Sequence, residues 1–478
     1  MTWTHQDPAL PATSPGWTRL FATLVLALLA SGCTHYQRQS EGFRAQWRAG
    51  QATEVARGLT TKADKEAGGR DAVLWRLEQA TALRAAGEWE RSTAAFADAD
   101  RRMVEFEAKS SVRVGQELLS ALSNPANISY EGRPYDKIMA ATYQVLNHLA
   151  LGDQDRARPE MFRAYQRQQD AVAGNARRIE RAREEEAAAG KTEMVTATKN
   201  DPRFQQQLAA AGEPLRSLQL YADYVNPFTV WLDGLFFSAN PADSSDLERA
   251  RKSFERAASY APGNPHVRAD LAAVEARFQG RAPEPVTYVI FETGAAPIRD
   301  QVRIDIPIIF ADVSYVGAAF PRLAPQGDYA NALTVRGGGA ETATATVSRM
   351  DAVVARDFQD EQPIIISRAV ISAASKGTAA FFANQAASNQ DDSLGALVRV
   401  LTMAYQLAVN VADTRTWTTL PKEFQVARLA TPADRRLGLS AGGRAPLEVT
   451  LAPGEVNVVY VRSTSTAAPL LVSQFTLR

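Results

Sequence analysis

The chain has 478 residues, 53 lysines and arginines against 53 aspartates and glutamates, and a single cysteine, Cys33. The balanced charge leaves no footprint of a nucleic-acid or anionic-surface partner, and one cysteine excludes an intrachain disulfide. Four scattered histidines, His5, His35, His148 and His266, do not suggest a metal site, so no cofactor is expected.

The first feature in chain order is "LFATLVLALLASGC", residues 20–33. The apolar run after Arg19 fits the h-region of a secretory signal and is too short to span a bilayer as a helix. Small residues, Ser31 and Gly32, then precede Cys33, and the segment resembles the lipobox of bacterial lipoproteins, with Ala30 at the usual aliphatic position. This reading makes residues 1–32 a signal peptide and Cys33 an acylated anchor holding the protein to a membrane. An ordinary signal peptide with an incidental cysteine is the competing reading. A free thiol is a liability in an oxidising compartment, which favours acylation. Two or three acyl chains at Cys33 would give durable anchoring where one gives reversible binding. Thr34, not aspartate, follows the cysteine, and by resemblance to enterobacterial sorting this implies the outer membrane.

Residues 33–280 are rich in Ala, Arg, Glu and Gln with helical periodicity, and read as an all-α domain. Three stretches fit tetratricopeptide (TPR) spacing. The first runs through Ala80, Leu83, Gly87, Trp89, Phe96 and Ala99, and the second through Gly152, Ala157, Met161 and Ala164. The third carries Ala250, Phe254, Ala257 and Pro262, with "NPFTVWLDGLFFS" as its first helix. Gly87 and Gly152 sit where a helix must stop and reverse, which favours a left-handed residue. Residues 163–190 read as a long charged helix with a solvated face.

After the Pro-rich link "GRAPEP" the chain turns to β-branched alternating runs. Residues 286–478 read as a mixed α+β domain ending in a small antiparallel sheet or sandwich. "TYVIFETGAAPIRDQVRIDIPIIF" predicts a hairpin. Residues 350–388 predict helix with a break near Pro363, and 393–412 an apolar core helix capped by Asp392. The overall expectation is a two-domain α+β chain, TPR-like first and mixed second.

Motifs for chemistry are sparse. "AAAGKT" has Glu185 where a P-loop needs glycine, and "RGGGAET" (336–342) reads as a turn. Asp351, Asp357 and Asp360 sit at helical spacing and read as a solvated face. No catalytic residue is assigned. Two constellations stand out. "YEGRPYDK" places Tyr130, Arg133 and Tyr135 in a loop before the second repeat, where aromatics with arginine make partner anchors or simply staple the loop. "ADTRTWTTLP" places Asp413, Arg415 and Trp417 at the hand-over to the terminal sheet, and reads as a structural junction with an ion pair under Trp417.

Several stretches together resemble a poorly characterised family of bacterial TPR-containing lipoproteins: "YEGRPYDKIMAATYQVLNHLALGDQDRAR", "YVNPFTVWLDGLFF", "SFERAASYAPGNPHV", "YVIFETGAAPIRDQVRIDIP", "QPIIISRAVI" and "ADTRTWTTLPKEFQVARL". The resemblance implies a periplasm-facing, membrane-anchored, non-enzymatic protein and brings no substrate or catalytic residue with it. The expected role is a protein-interaction scaffold or adaptor in cell-envelope assembly, with periplasmic or outer-membrane protein partners. An envelope enzyme acting on the cell wall and a carrier of lipid or small ligands are the alternatives.

Overall fold

The computed structural model describes residues 36–109, 128–213, 216, 218–222, 224–307, 315–388 and 411–478. Cys33 and the expected helix over 393–410 lie outside the described residues. The fold is mixed α+β, with helices through the first part of the chain and sheets in the second.

Eleven described helices come first: α1 (Tyr36–Arg48), α2 (Ala52–Lys65), α3 (Ala72–Ala85), α4 (Trp89–Lys109), α5 (Pro134–Ala150), α6 (Gln154–Ala188), α7 (Thr192–Asn200), α8 (Pro202–Gly212), α9 (Pro227–Ala239), α10 (Ser244–Tyr260) and α11 (Pro265–Phe278). Chain neighbours pack in pairs, α3 on α4, α5 on α6 and α9 on α10. Gly87 and Gly152 turn the first two pairs with φ of 79° and 74°. In these turns the Gly87 N–H reaches the Arg84 carbonyl and the Gly152 N–H the Leu149 carbonyl, so orphan helix-end acceptors are filled. Asp153, Asp201, Asn226, Asp243 and Asn264 cap the helices that follow them by accepting from backbone N–H groups.

The strands are β1 (Val286–Thr293), β2 (Ile298–Pro307), β3 (Tyr315–Ala324), β4 (Leu333–Gly337), β5 (Ala340–Ala343), β6 (Ala345–Arg349), β7 (Glu423–Ala430), β8 (Arg436–Ala441), β9 (Leu447–Thr450), β10 (Val456–Ser463) and β11 (Leu471–Thr476), with helix α12 (Met350–Ser388) between β6 and β7. They form a five-stranded sheet in the order β11-β10-β1-β7-β6, an antiparallel four-stranded sheet in the order β5-β4-β8-β9, and a β2–β3 pair. The hairpin expected between β1 and β2 does not form. β1 runs parallel to β10 and antiparallel to β7, while β2 pairs with β3. The physical reason is burial: all eight positions of β1 are buried, so it sits inside a sheet covered on both faces. The parallel pair makes this sheet mixed, where a small antiparallel sheet or sandwich was expected.

Alternation along the strands sorts two cores. Tyr288, Ile290, Phe424, Val426, Val458 and Tyr460 face the helices. Val289, Phe291, Ala427, Val459 and Val461 face Leu333, Val335, Leu437 and Leu439 of the four-stranded sheet. Helices, five-stranded sheet and four-stranded sheet therefore stack as three layers, and the helix-side core draws residues from both sides of "GRAPEP". A third cluster joins α7 and α8 to β2–β3 and the later part of α12 through Phe204, Ile304, Phe320 and Val370. α12 passes through Pro363 without the expected break. Packing on both sides of the proline, Phe358 in one cluster and Ile366 in another, offsets its cost of about 3 kcal/mol. The glycines of "RGGGAET" make the β4–β5 turn, with Gly338 and Gly339 at φ 59° and 78°.

Candidate functional site

A cleft of about 590 Å³ is bounded by α6, the start of α5, α12, the β2–β3 pair and the link 411–415. Eight arginines and Lys137 line it against five carboxylates. Both constellations singled out in the sequence meet here. Tyr130, Arg133, Asp413 and Arg415 are all in its wall, and the Arg415 guanidinium lies 5.6 Å from the Tyr130 ring centroid.

Each is held from below. Arg133 stands just before α5, and Pro134 opens that helix, so Tyr135 belongs to the helix and not to the loop expected for it. Tyr135 is fully buried, with its hydroxyl 3.4 Å from the Thr416 hydroxyl. Asp136 reaches back to accept from the Arg133 N–H at 2.8 Å and from the Tyr130 hydroxyl. Burial pushes the Asp136 carboxyl up to about 6, against the pull of those two hydrogen bonds. Arg415 pairs with Asp413 at 2.8 Å and Asp71 at 3.0 Å, and donates to the Ile128 carbonyl. Burial alone would raise the Asp413 carboxyl, yet Arg415 holds it down at about 2. Trp417 is 1% exposed and donates to the Thr81 and Thr419 hydroxyls. It packs on Phe96 and Tyr143; the helix expected to end near Ala412 lies, up to residue 410, outside the described residues, residues 411 and 412 are not helical, and the Ala412 N–H binds the Gln301 side chain.

The floor is an ion network. Arg133 and Arg299 both bind the Glu361 carboxylate, Arg299 at 2.6 Å. Arg133, Arg178 and Arg299 stand 3.8–3.9 Å from Asp357. Asp357 is 1% exposed, and neither of its carboxylate oxygens finds a hydrogen-bond partner. Burial raises the Asp357 carboxyl, whereas the arginines, led by Arg133, hold Glu361 well below the usual range against its own burial. The solvated face expected for Asp351 and Asp357 is thus corrected: both are buried, because β2, α6 and Arg133 at the head of α5 bring cations over Asp357, and Asp351 pairs with Lys422. On α6 Glu185 is also buried, paired with Arg368 of α12 at 3.1 Å. The Nε groups of Arg133 and Arg299 are buried without an acceptor.

Arginine forks match carboxylate and phosphate geometry, and low solvent access strengthens such pairs. The cleft is built to take anionic groups. Sequence reasoning located Tyr130, Arg133, Asp413 and Arg415 but missed Arg178, Arg299, Asp357 and Glu361. The one available signal was arginine density in "NARRIERAR", which reads equally well as a solvated face.

Two outcomes follow. Asp413→Ala should cost about 1–3 kcal/mol in denaturant unfolding, the scale of lost charged hydrogen bonds, because Asp71 remains to pair Arg415; a cost near zero would show that the link is not held by this pair. Asp136 is more basic when folded than when unfolded, near 3.9, so the folded state binds the extra proton and loses stability as pH rises from about 4 to about 6. Asp136→Asn keeps an acceptor oxygen and should reduce that slope, leaving the part that Asp270, raised to about 6 by its own burial, contributes over the same range, measured by unfolding at pH 4, 5, 6 and 7.

No protein family, no curated protein and no solved structure matches the chain.

Proposed function

We propose that the chain is an outer-membrane-anchored, periplasm-facing lipoprotein that works as a protein-interaction scaffold or adaptor in cell-envelope assembly. In this reading Cys33 carries the acyl anchor, the helix pairs act as a TPR-like frame, and the arginine-lined cleft receives an acidic segment of a partner protein. The observation that carries it is the composition of the cleft: nine cationic side chains against five carboxylates around about 590 Å³, built from segments of both parts of the chain. The apolar run and small residues before Cys33 support the address. Helical stacks commonly hold extended or helical peptides, which supports the role as analogy of fold.

The test uses photo-crosslinking in the membrane fraction. Arg177→Glu, at an exposed arginine of the cleft wall, should remove partner crosslinks placed at Lys137 while leaving thermal unfolding within a few degrees of wild type. Cys33→Ser should move the protein out of the membrane fraction. Unchanged crosslinks in the cleft variant would overturn the docking site, and an unacylated Cys33 by mass spectrometry would overturn the anchor.

A further inference from the structure

A second, smaller cavity of about 150 Å³ lies away from the arginine cleft, between α1, α3, the start of α4 and the β10–β11 edge of the five-stranded sheet. Aromatic rings make much of its wall: Trp47, Trp89 and Tyr460. Between them stand Arg84 and Arg462, with Glu292 the sole carboxylate among the lining residues.

The polar balance of this wall is one-sided. Glu292 already accepts from the Tyr460 hydroxyl and from Arg462 at 3.1 Å. Arg462 spends its other terminal nitrogen on the Gly294 and Thr419 carbonyls, and Arg84 donates to Asn147 at 2.8 Å while its guanidinium lies 4.3 Å from the Tyr460 ring centroid. Three donors remain without an acceptor: Trp47 Nε1, Arg84 Nη2 and Arg462 Nε. Trp47, Arg84 and Arg462 are 3%, 5% and 4% exposed, so bulk water does not serve them either. A buried donor left unmade costs about 1–3 kcal/mol, and three in one wall mark a place where something else completes the bonding.

We propose that this pocket binds a carboxylate borne on a small apolar group. Two arginines against one glutamate leave one net positive charge, which a single carboxylate neutralises. A carboxylate is acceptor-only, with about four lone-pair sites on two oxygens. A water could give its own hydrogens to the lone pairs left on Glu292 and the Tyr460 hydroxyl, but it would leave the net positive charge in place, which only an anion neutralises. The volume equals that of about five liquid waters, enough for a carboxylate and a few methyl groups. Trp89 and Leu471, both partly exposed, form the mouth and suit the apolar part. The three nitrogens are shielded, so the ligand reaches them with a displacement of side chains at that mouth. Such a carboxylate belongs either to a small free acid or to the C-terminus of a peptide.

Titration of the ¹⁵N-labelled full chain distinguishes these. With isobutyrate as probe, the Trp47 indole N–H resonance, identified by its absence in Trp47→Phe, should shift saturably, and neutral isobutyramide should leave it in place. Trp47→Phe keeps an aromatic ring and loses the donor, so isobutyrate binding, followed in this variant at the Trp89 indole N–H, should weaken about tenfold, the scale of a charge-assisted hydrogen bond. A dipeptide ending in valine that binds more tightly than isobutyrate, and loses this when amidated, assigns the carboxylate to a chain terminus; equal affinities assign it to a free acid. Equal responses to isobutyrate and isobutyramide, a response to inorganic phosphate alone, or undiminished isobutyrate binding by Trp47→Phe would overturn the proposal. If Trp47→Phe does not fold, the acid–amide comparison on wild type decides.

Discussion

The carboxylate of Glu78 is buried in α3, 2% exposed, and accepts five hydrogen bonds. Four come from residues more than 300 positions away: the N–H and hydroxyl of Thr418 at 2.6 and 2.7 Å, and those of Thr419 at 3.2 and 2.7 Å. The fifth is the Tyr36 hydroxyl at 2.6 Å. A buried charge costs several kcal/mol unless its lone pairs are filled, so the link 418–419 must lie against α3. Trp417 is then carried onto Phe96 and Tyr143, and its indole N–H onto Thr81 of α3. Arg415, two residues earlier, lands beside Asp71 and Ile128.

The cleft inherits its shape from that clamp. Once Arg415 is fixed, Asp413 and Tyr130 are fixed with it. Asp136, pinning Tyr130 and the Arg133 backbone, then aims Arg133 at Glu361 across the chain. The same logic recurs elsewhere on the helix side of the sheet. Asp270 of α11 accepts from Trp231 of α9 and Tyr288 of β1, and lies 3.2 Å from Arg428 of β7. Burial pushes its carboxyl up to about 6 even so, which marks it, like Asp136, as a charge held by structure against its own preference. Layers that meet through apolar packing alone can slide, whereas buried carboxylates with directional donors set one register.

What the sequence made legible was local. Helix pairs, turn glycines and the change from helical to β-rich character near "GRAPEP" are written in periodicity and in residues that suit one backbone region. The two constellations at Tyr130–Tyr135 and Asp413–Trp417 were visible as unusual polar–aromatic clusters, though not as neighbours. What stayed hidden is long-range. Nothing local tells Val286 that it pairs with Val456 instead of turning back on Ile298. Glu78 in "WRLEQATAL" looks like any exposed helix glutamate, since its donors sit in a threonine pair far down the chain. Asp357 reads as a surface acid because the arginines that cover it come from the residue before α5, from α6 and from β2.

Hydrogen exchange of a Glu78→Gln variant tests the clamp most directly. Glutamine cannot accept where its amide nitrogen replaces the second oxygen, so the two Thr419 donors lose their partner, at about 1–3 kcal/mol each. Exchange in denaturant should then report one cooperative unit, with the opening free energies of peptides in α3 and in β10 falling together by about 2–5 kcal/mol. Unchanged protection in β10 while α3 alone loosens, or a variant indistinguishable from wild type in both, would contradict the claim that Glu78 sets the register between the helices and the sheet.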